Sequence, residues 1–171
     1  MAQLGNVIIF RSDKDDNFTE EIVQNAQEQE NLVLPEGIAA GRHCRCRIKW
    51  INIMSTDNLA WEIWLWQDQN GSAPASGDMD DVNVLGRWAF NTSDGKQIAG
   101  AGDYFYYIDG LDVVYEDLDG GLGVITSVPP RVHAGGQLHV SLVNRSAGSK
   151  TPILSGGYFV IIFGLEPTIG W

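Results

Sequence analysis

Cys44 to Gln67 read CRCRIKWINIMSTDNLAWEIWLWQ. In the first ten residues polar and apolar side chains alternate, with Cys44, Cys46, Ile48 and Trp50 on one side and Arg45, Arg47 and Lys49 on the other. A period of two is that of a β-strand, whose successive side chains point to opposite faces. The Cys/Ile/Trp side is the expected core face, and the Arg/Arg/Lys side is a cationic stripe. Met54 to Asn58 is a short polar turn, so Leu59 to Gln67 is the next strand and the two are expected to form a hairpin. In that second strand Trp61, Ile63 and Leu65 face one way and Glu62, Trp64 and Trp66 the other. Both of its faces are apolar, which predicts that one is covered by something besides the domain's own core.

Working outward, Asn6 to Phe10 is a short apolar strand candidate and Arg11 to Asn17 a polar turn. Phe18 to Glu30 suits two structures. Asn17 and Glu20 stand at the spacing of a helix N-cap and its reciprocal partner, and Phe18, Ile22 and Ala26 recur every four residues. The same residues would also make an irregular polar strand or arm. Leu32 to Leu34 runs into Pro35-Glu36-Gly37, a turn signal. Asp68 to Asp81 reads as a loop, and Val82 to Phe90 and Gly102 to Ile108 as strands. An acidic stretch, Asp109 to Gly123, surrounds Val113 to Tyr115. Gly123 to Val128 ends at Pro129-Pro130, which a central strand does not tolerate. Gln137 to Val143 alternates, with Leu138, Val140 and Leu142 inward. Gly157 to Leu165 is apolar on both faces, as in a strand in the middle of a sheet. Eight or nine strands at these spacings predict an all-β sandwich.

The 171 residues, 44% hydrophobic and 19% charged, suffice for a self-supporting core. Eleven basic against 22 acidic side chains leave a formal charge of −11. That balance repels phosphate and argues against nucleic acid as a partner. The longest apolar stretch, Tyr158 to Leu165, is about half of what a membrane span needs, so no direct membrane insertion is expected. The start, MAQLG, lacks the basic region and apolar run of a signal peptide, which predicts synthesis in a cytoplasm without export. Cys44 and Cys46, two apart on a strand, cannot bridge each other without distorting the backbone. They are expected to stay thiols, or at most to bond to cysteines of another chain.

His43, Cys44 and Cys46 are the obvious metal suspects, but paired zinc cysteines usually stand two to four residues apart on a wrapping loop, and further ligands would have to come from His133 or His139. A buried place for the thiols beside Ile48 and Trp50 is the simpler expectation. No serine sits in a nucleophile-elbow frame, the three histidines have unrelated contexts, and no phosphate-cradling glycine loop is present, so no enzyme is predicted. The acidic groups Asp78, Asp80 and Asp81, and Asp112, Glu116, Asp117 and Asp119, are oxygen-rich enough for a structural Ca²⁺ but lack the twelve-residue helix-loop-helix spacing. No cofactor is expected beyond that. Six tryptophans invite a sugar-binding alternative, for which Trp64 and Trp66 are the outward-facing candidates. The same two rings would equally suit a contact with another subunit.

GGQLHVSLVNRS (Gly135 to Ser146) and GGYFVIIFGLEP (Gly156 to Pro167) resemble the closing strands of a jelly roll, and the Leu-Pro-Glu-Gly element before Cys44 resembles its strand entry. The layout is similar to small single jelly-roll capsid proteins of tailless, membrane-containing icosahedral viruses and to jelly-roll decoration proteins of tailed phages. This implies an all-β, single-domain antiparallel sandwich of jelly-roll topology with about eight strands. Residues 1–30 would form an N-terminal strand, arm or short helix, 31–167 the jelly roll and 168–171 a C-terminal tail. The implied function is that of a structural virion protein, a capsid shell subunit made in a host cytoplasm that assembles with itself and with other capsid proteins. The contact residues expected are Trp64, Trp66, Arg45, Arg47, Lys49 and Trp171. A lectin-like or receptor-binding jelly-roll module is the alternative.

Overall fold

A computed structural model describes residues 7–13, 16–33, 45–66, 84–98, 102–116, 137–153 and 157–167. They form ten strands: β1 (Ile8–Arg11), β2 (Gln27–Val33), β3 (Arg45–Ser55), β4 (Trp61–Trp66), β5 (Val84–Phe90), the two-residue β6 (Lys96–Gln97), β7 (Tyr104–Ile108), β8 (Val113–Glu116), β9 (Gln137–Asn144) and β10 (Phe159–Pro167). All pairings are antiparallel. One sheet has the order β1-β10-β3-β7-β6, with β8 following β7 along the same edge of β3. The other has the order β2-β9-β4-β5. The chain therefore crosses from sheet to sheet at six of the nine connections between these strands, and its first strand pairs with its last. That is the wrapping of a jelly roll.

The core between the sheets is built by alternation. Phe159, Ile161, Phe163 and Leu165 of β10 face Leu138, Val140 and Leu142 of β9 and Trp61, Ile63 and Leu65 of β4, all buried. Phe159 meets Trp61 and Phe18 edge to face, with ring centroids 5.5 and 6.0 Å apart. Burying an aromatic ring in such a core contributes about 1.5–3 kcal/mol by transfer from water.

Three expectations fail, each for a tertiary reason. The strands at 44–53 and 59–67 do not form a hairpin: β3 and β4 lie in different sheets. Their connection is tied to both layers, with the Thr56 N–H donating to the Tyr158 carbonyl at 3.1 Å beside β10 and the Ala60 N–H donating to the Ser146 hydroxyl at 2.8 Å beyond the end of β9. Trp50 does not join Cys46 and Ile48 in the core. The ladder between β3 and β10 slips by one residue beside Gly164 and Leu165, so the buried residues run Cys46, Ile48, then Ile51 and Ile53. The bulge turns Trp50 to the outside. Its indole lies flat over Gly164, its cross-strand partner, where a β-carbon would collide with the ring.

The third correction concerns residues 17–30, where the strand-or-arm alternative holds and the helix does not. Gln27–Val33 is β2, so the expected boundary at residue 30 falls inside a strand of the sandwich. Before it, Phe18 adopts a positive φ of 57° and buries its ring in the core. Glu20 does not cap a helix. Instead its N–H and that of Thr19 donate to the carboxylate of Glu28, at 3.3 and 2.8 Å. Glu28 points inward from the edge strand β2, paired with Leu142. Burial pushes its carboxyl up to about 7, against these N–H donors, which favour the ionised form. Asn144 completes the tie by donating to the carbonyls of Ile22 (2.9 Å) and Gly148 (2.8 Å).

Candidate assembly surfaces

Each sheet has one face in the core and one turned outward, and the outward faces differ. On the four-stranded sheet the register sets outward side chains in cross-strand rows. One row is Val143, Glu62 and Ala89; the next is Ser141, Trp64 and Arg87; the third is Asn31, His139 and Trp66. Its centre is shut off from solvent within the single chain: Trp64 is 0% and Trp66 3% exposed, and His139, Ser141 and Val143 are buried with them. The Trp66 ring stacks on His139 at 4.8 Å, and the His139 Nδ1 sits 2.8 Å from Asn31 Oδ1. The buried Glu62 carboxylate accepts from Arg145 Nε at 2.5 Å and pairs with Arg87 Nε at 2.8 Å. The Arg87 guanidinium also lies 6.0 Å from the centroid of Trp64. A carboxylate held by two guanidinium groups offsets its own desolvation, and this fixes both arginines across the sheet.

The outward face of the other sheet is open. Ile9 of β1 is 71% exposed and Tyr107 of β7 51%, and Val7, just before β1, is exposed too. Between these edges stand Ile162 and Val160 of β10 and Trp50 and Met54 of β3, each half-buried, with Phe105 of β7 stacked on Tyr107 at 6.3 Å. At one end Asp112 accepts from Arg47 Nη1 at 2.7 Å and Lys49 Nζ at 3.0 Å, and Glu166 lies 3.9 Å from Lys49. These hydrogen bonds, led by the one from Lys49, hold the Asp112 carboxyl below its ordinary value. Because Asp112 is exposed, the pairs are screened and add little to stability.

The expected contact residues thus divide. Trp64 and Trp66 point outward as alternation requires but are buried within the chain, which corrects the expectation that they form an accessible patch for a subunit or a sugar. Arg47 and Lys49 stand on the open face. The Arg45 side chain and Trp171 lie outside the described residues. So do His43, Cys44, His133 and the acids Asp78, Asp80, Asp81, Asp117 and Asp119, together with the Glu116 side chain. Cys46 is a buried thiol in the core, and Asp112 is engaged by two cations rather than turned toward an ion site. Among the described residues no three His, Cys, Asp or Glu side chains converge as a metal site. Sequence reasoning overlooked Ile9, Phe105 and Tyr107. Their signal was present: Val7 to Phe10 and Tyr104 to Ile108 are apolar at every position, so one side of each had to face away from the core.

No family model and no curated protein matches the chain. Among solved structures, a chain from Desmodium yellow mottle tymovirus overlaps it with a TM-score of 0.26 at 10% identity, over 100% of this chain and 93% of that one. An overlap of that size carries no weight for fold or role, and the jelly-roll order rests on the strand pairing alone.

Proposed function

We propose that the chain is a shell subunit of a virion, a structural rather than catalytic protein that assembles with copies of itself and with other capsid proteins. The observation that supports this is the open outer face of the six-stranded sheet. Ile9, Val160, Ile162, Met54, Phe105 and Tyr107 turn outward there, with Asn52 among them, and an apolar surface is costly to leave wet. Jelly rolls serve capsids and lectins alike. The sugar-binding alternative depended on Trp64 and Trp66 as stacking rings, and both are inaccessible.

Sedimentation velocity and negative-stain microscopy of the purified protein, alone and mixed with a co-expressed second capsid protein, test the proposal. Rings, sheets or particles that grow with concentration are the expected outcome. A monomer that persists at the highest soluble concentration under both conditions would sink it.

A further inference from the structure

The outer N–H and C=O groups of a sheet's edge strand have no ladder to join, which makes the edge a template for pairing with another chain. Among the described residues the four-stranded sheet ends in β2 and β5, and the six-stranded sheet in β1 and, at its far side, β6 and β8. β2 carries Glu28 and Glu30, with Glu28 turned inward. β5 is bulged at Leu85, between Gly86, which pairs with Leu65, and Val84, which pairs with Trp66. β6 is two residues long, and β8 is bracketed by Asp112 and Glu116, so its own copy would set acid against acid. Short strands, bulges and charges all discourage edge pairing. β1 has neither bulge nor acid. It runs in unbroken register from Ile8↔Leu165 to Arg11↔Ile162, and Arg11 is the one charge between Val7 and Ser12. Val7 and Ile9 stand there 42% and 71% exposed.

The hydrogen-bond phase of β1 is fixed at its end. The Ser12 N–H donates to the Ile161 carbonyl at 2.9 Å, and the Ile161 N–H donates to the Ser12 hydroxyl at 3.0 Å. Bonded pairs alternate along an antiparallel ladder, so Ser12, Phe10 and Ile8 direct their backbone groups to β10, while Arg11, Ile9 and Val7 direct theirs to the outer edge. A second β1 can lie antiparallel on that edge with Ile9 opposite Ile9, which brings Val7 opposite Arg11 on either side of the centre. Each of these pairs exchanges both bonds, about six in all. The alternation is kept: Ile8 meets Phe10 on the core side, Ile9 meets Ile9 on the open side, and the Arg11 stem lies along Val7. A register centred on Phe10 would set Ile9 against Arg11 and Val7 against Asp13, whose N–H already donates to Asn17 Oδ1 at 2.9 Å.

We infer that β1 pairs with the β1 of a second copy about a two-fold axis at Ile9, joining two six-stranded sheets into one layer with both open faces on the same side. This rests on the shell-subunit proposal, which supplies many identical edges at high local concentration. The contact is isologous and closes as a pair, so growth of a shell falls to other surfaces. Two strands of about five residues, each about 17 Å long, belong at the low end of interface sizes, and the dimer forms at high concentration.

Disulfide trapping in the full chain tests the register, with Cys44→Ser as the background so that the buried Cys46 is its one thiol. Val7→Cys and Arg11→Cys are made separately, checked by circular dichroism for an unchanged fold, and mildly oxidised. Mixed in equal amounts they should give a linked heterodimer, because bonded partners stand about 5.5 Å apart, within reach of a disulfide. Each alone should give little, since Val7 and its copy lie about 14 Å apart. Adding Ile9→Pro to both removes an N–H from the outer edge and none from the β10 ladder, and should cut the heterodimer about tenfold or more. Ile9→Lys, which opposes two charges at the axis, should do the same and serves if the proline variant does not fold. A cross-link specific to the mixture and lost with Ile9 establishes the pairing; if the wild type then forms nothing beyond a dimer, the shell-subunit reading alone falls. If the wild type assembles and the mixture gives no heterodimer, or one that neither Ile9 change reduces, the pairing is wrong while the shell-subunit proposal stands. A wild type that stays monomeric and gives no cross-link overturns both.

Discussion

The two outward sheet faces are built from similar material and end differently. Each has tryptophan and other apolar side chains near its centre, yet Trp64 and Trp66 are sealed within the chain while Ile9 and Tyr107 stand in water. The two faces also differ in where the charges sit. On the closed face Glu62 is buried between two arginines, which anchors polar groups inside the sheet layer. On the open face Arg47 and Lys49 gather around Asp112 at one end, and Ile9 and Tyr107 stay exposed. An apolar sheet face is thus either covered within the chain or left open, and the composition of the strand does not say which.

The largest test of this contrast compares Trp64→Ala with Ile9→Asp. Removing a wholly buried indole should cost about 3–5 kcal/mol in a urea unfolding experiment. Putting a charge at the exposed Ile9 should move the midpoint by less than about 0.5 kcal/mol. Similar losses at both sites would erase the distinction between the faces.

Next comes pH. Burial holds Glu28, on the inner side of the closed sheet's edge, at about 7 in the folded chain against an ordinary 4.5. The folded state therefore binds this proton more tightly than the unfolded state. The stability it contributes is full below about pH 4.5 and is lost as pH rises through about 7, by at most about 3 kcal/mol. Asp112 on the open face is shifted the other way, so its pairing weakens only as pH falls toward and below the ordinary 3.8. Glu28→Gln keeps an acceptor for the Thr19 and Glu20 N–H groups and removes the titration. Unfolding free energies measured from pH 5 to 8 should slope downward in the wild type and flatten in this variant. An unchanged slope would assign the pH dependence elsewhere.

The smallest expected effect is Gly164→Ala, which must lift the Trp50 indole from the open face. A loss of about 1–3 kcal/mol and a red shift of tryptophan emission should accompany it. If the emission does not shift, Trp50 does not rest on Gly164 in solution.

Much of this architecture was legible from strand periodicity. Leu138, Val140 and Leu142 in β9 and Trp61, Ile63 and Leu65 in β4 fall on the core side where alternation put them, because the pleat leaves a strand no other way to bury one face. Most of the strands, their antiparallel sandwich and the outward direction of Trp64 and Trp66 follow from the sequence itself, whereas the expected strand at Gly123–Val128 lies outside the described residues. Partnership does not, since residues far apart in the chain decide it. β3 pairs with β10 and β7 rather than with the neighbouring β4, and a one-residue bulge opposite Gly164 reverses the phase at Trp50. Glu28 shows the same limit: in sequence it is one acid in a polar run, and only the folded loop brings the N–H groups of Thr19 and Glu20 to it. Local alternation dictates which side of a strand is apolar, whereas long-range pairing decides which apolar sides the chain covers and which, like the Ile9–Tyr107 face, it leaves open.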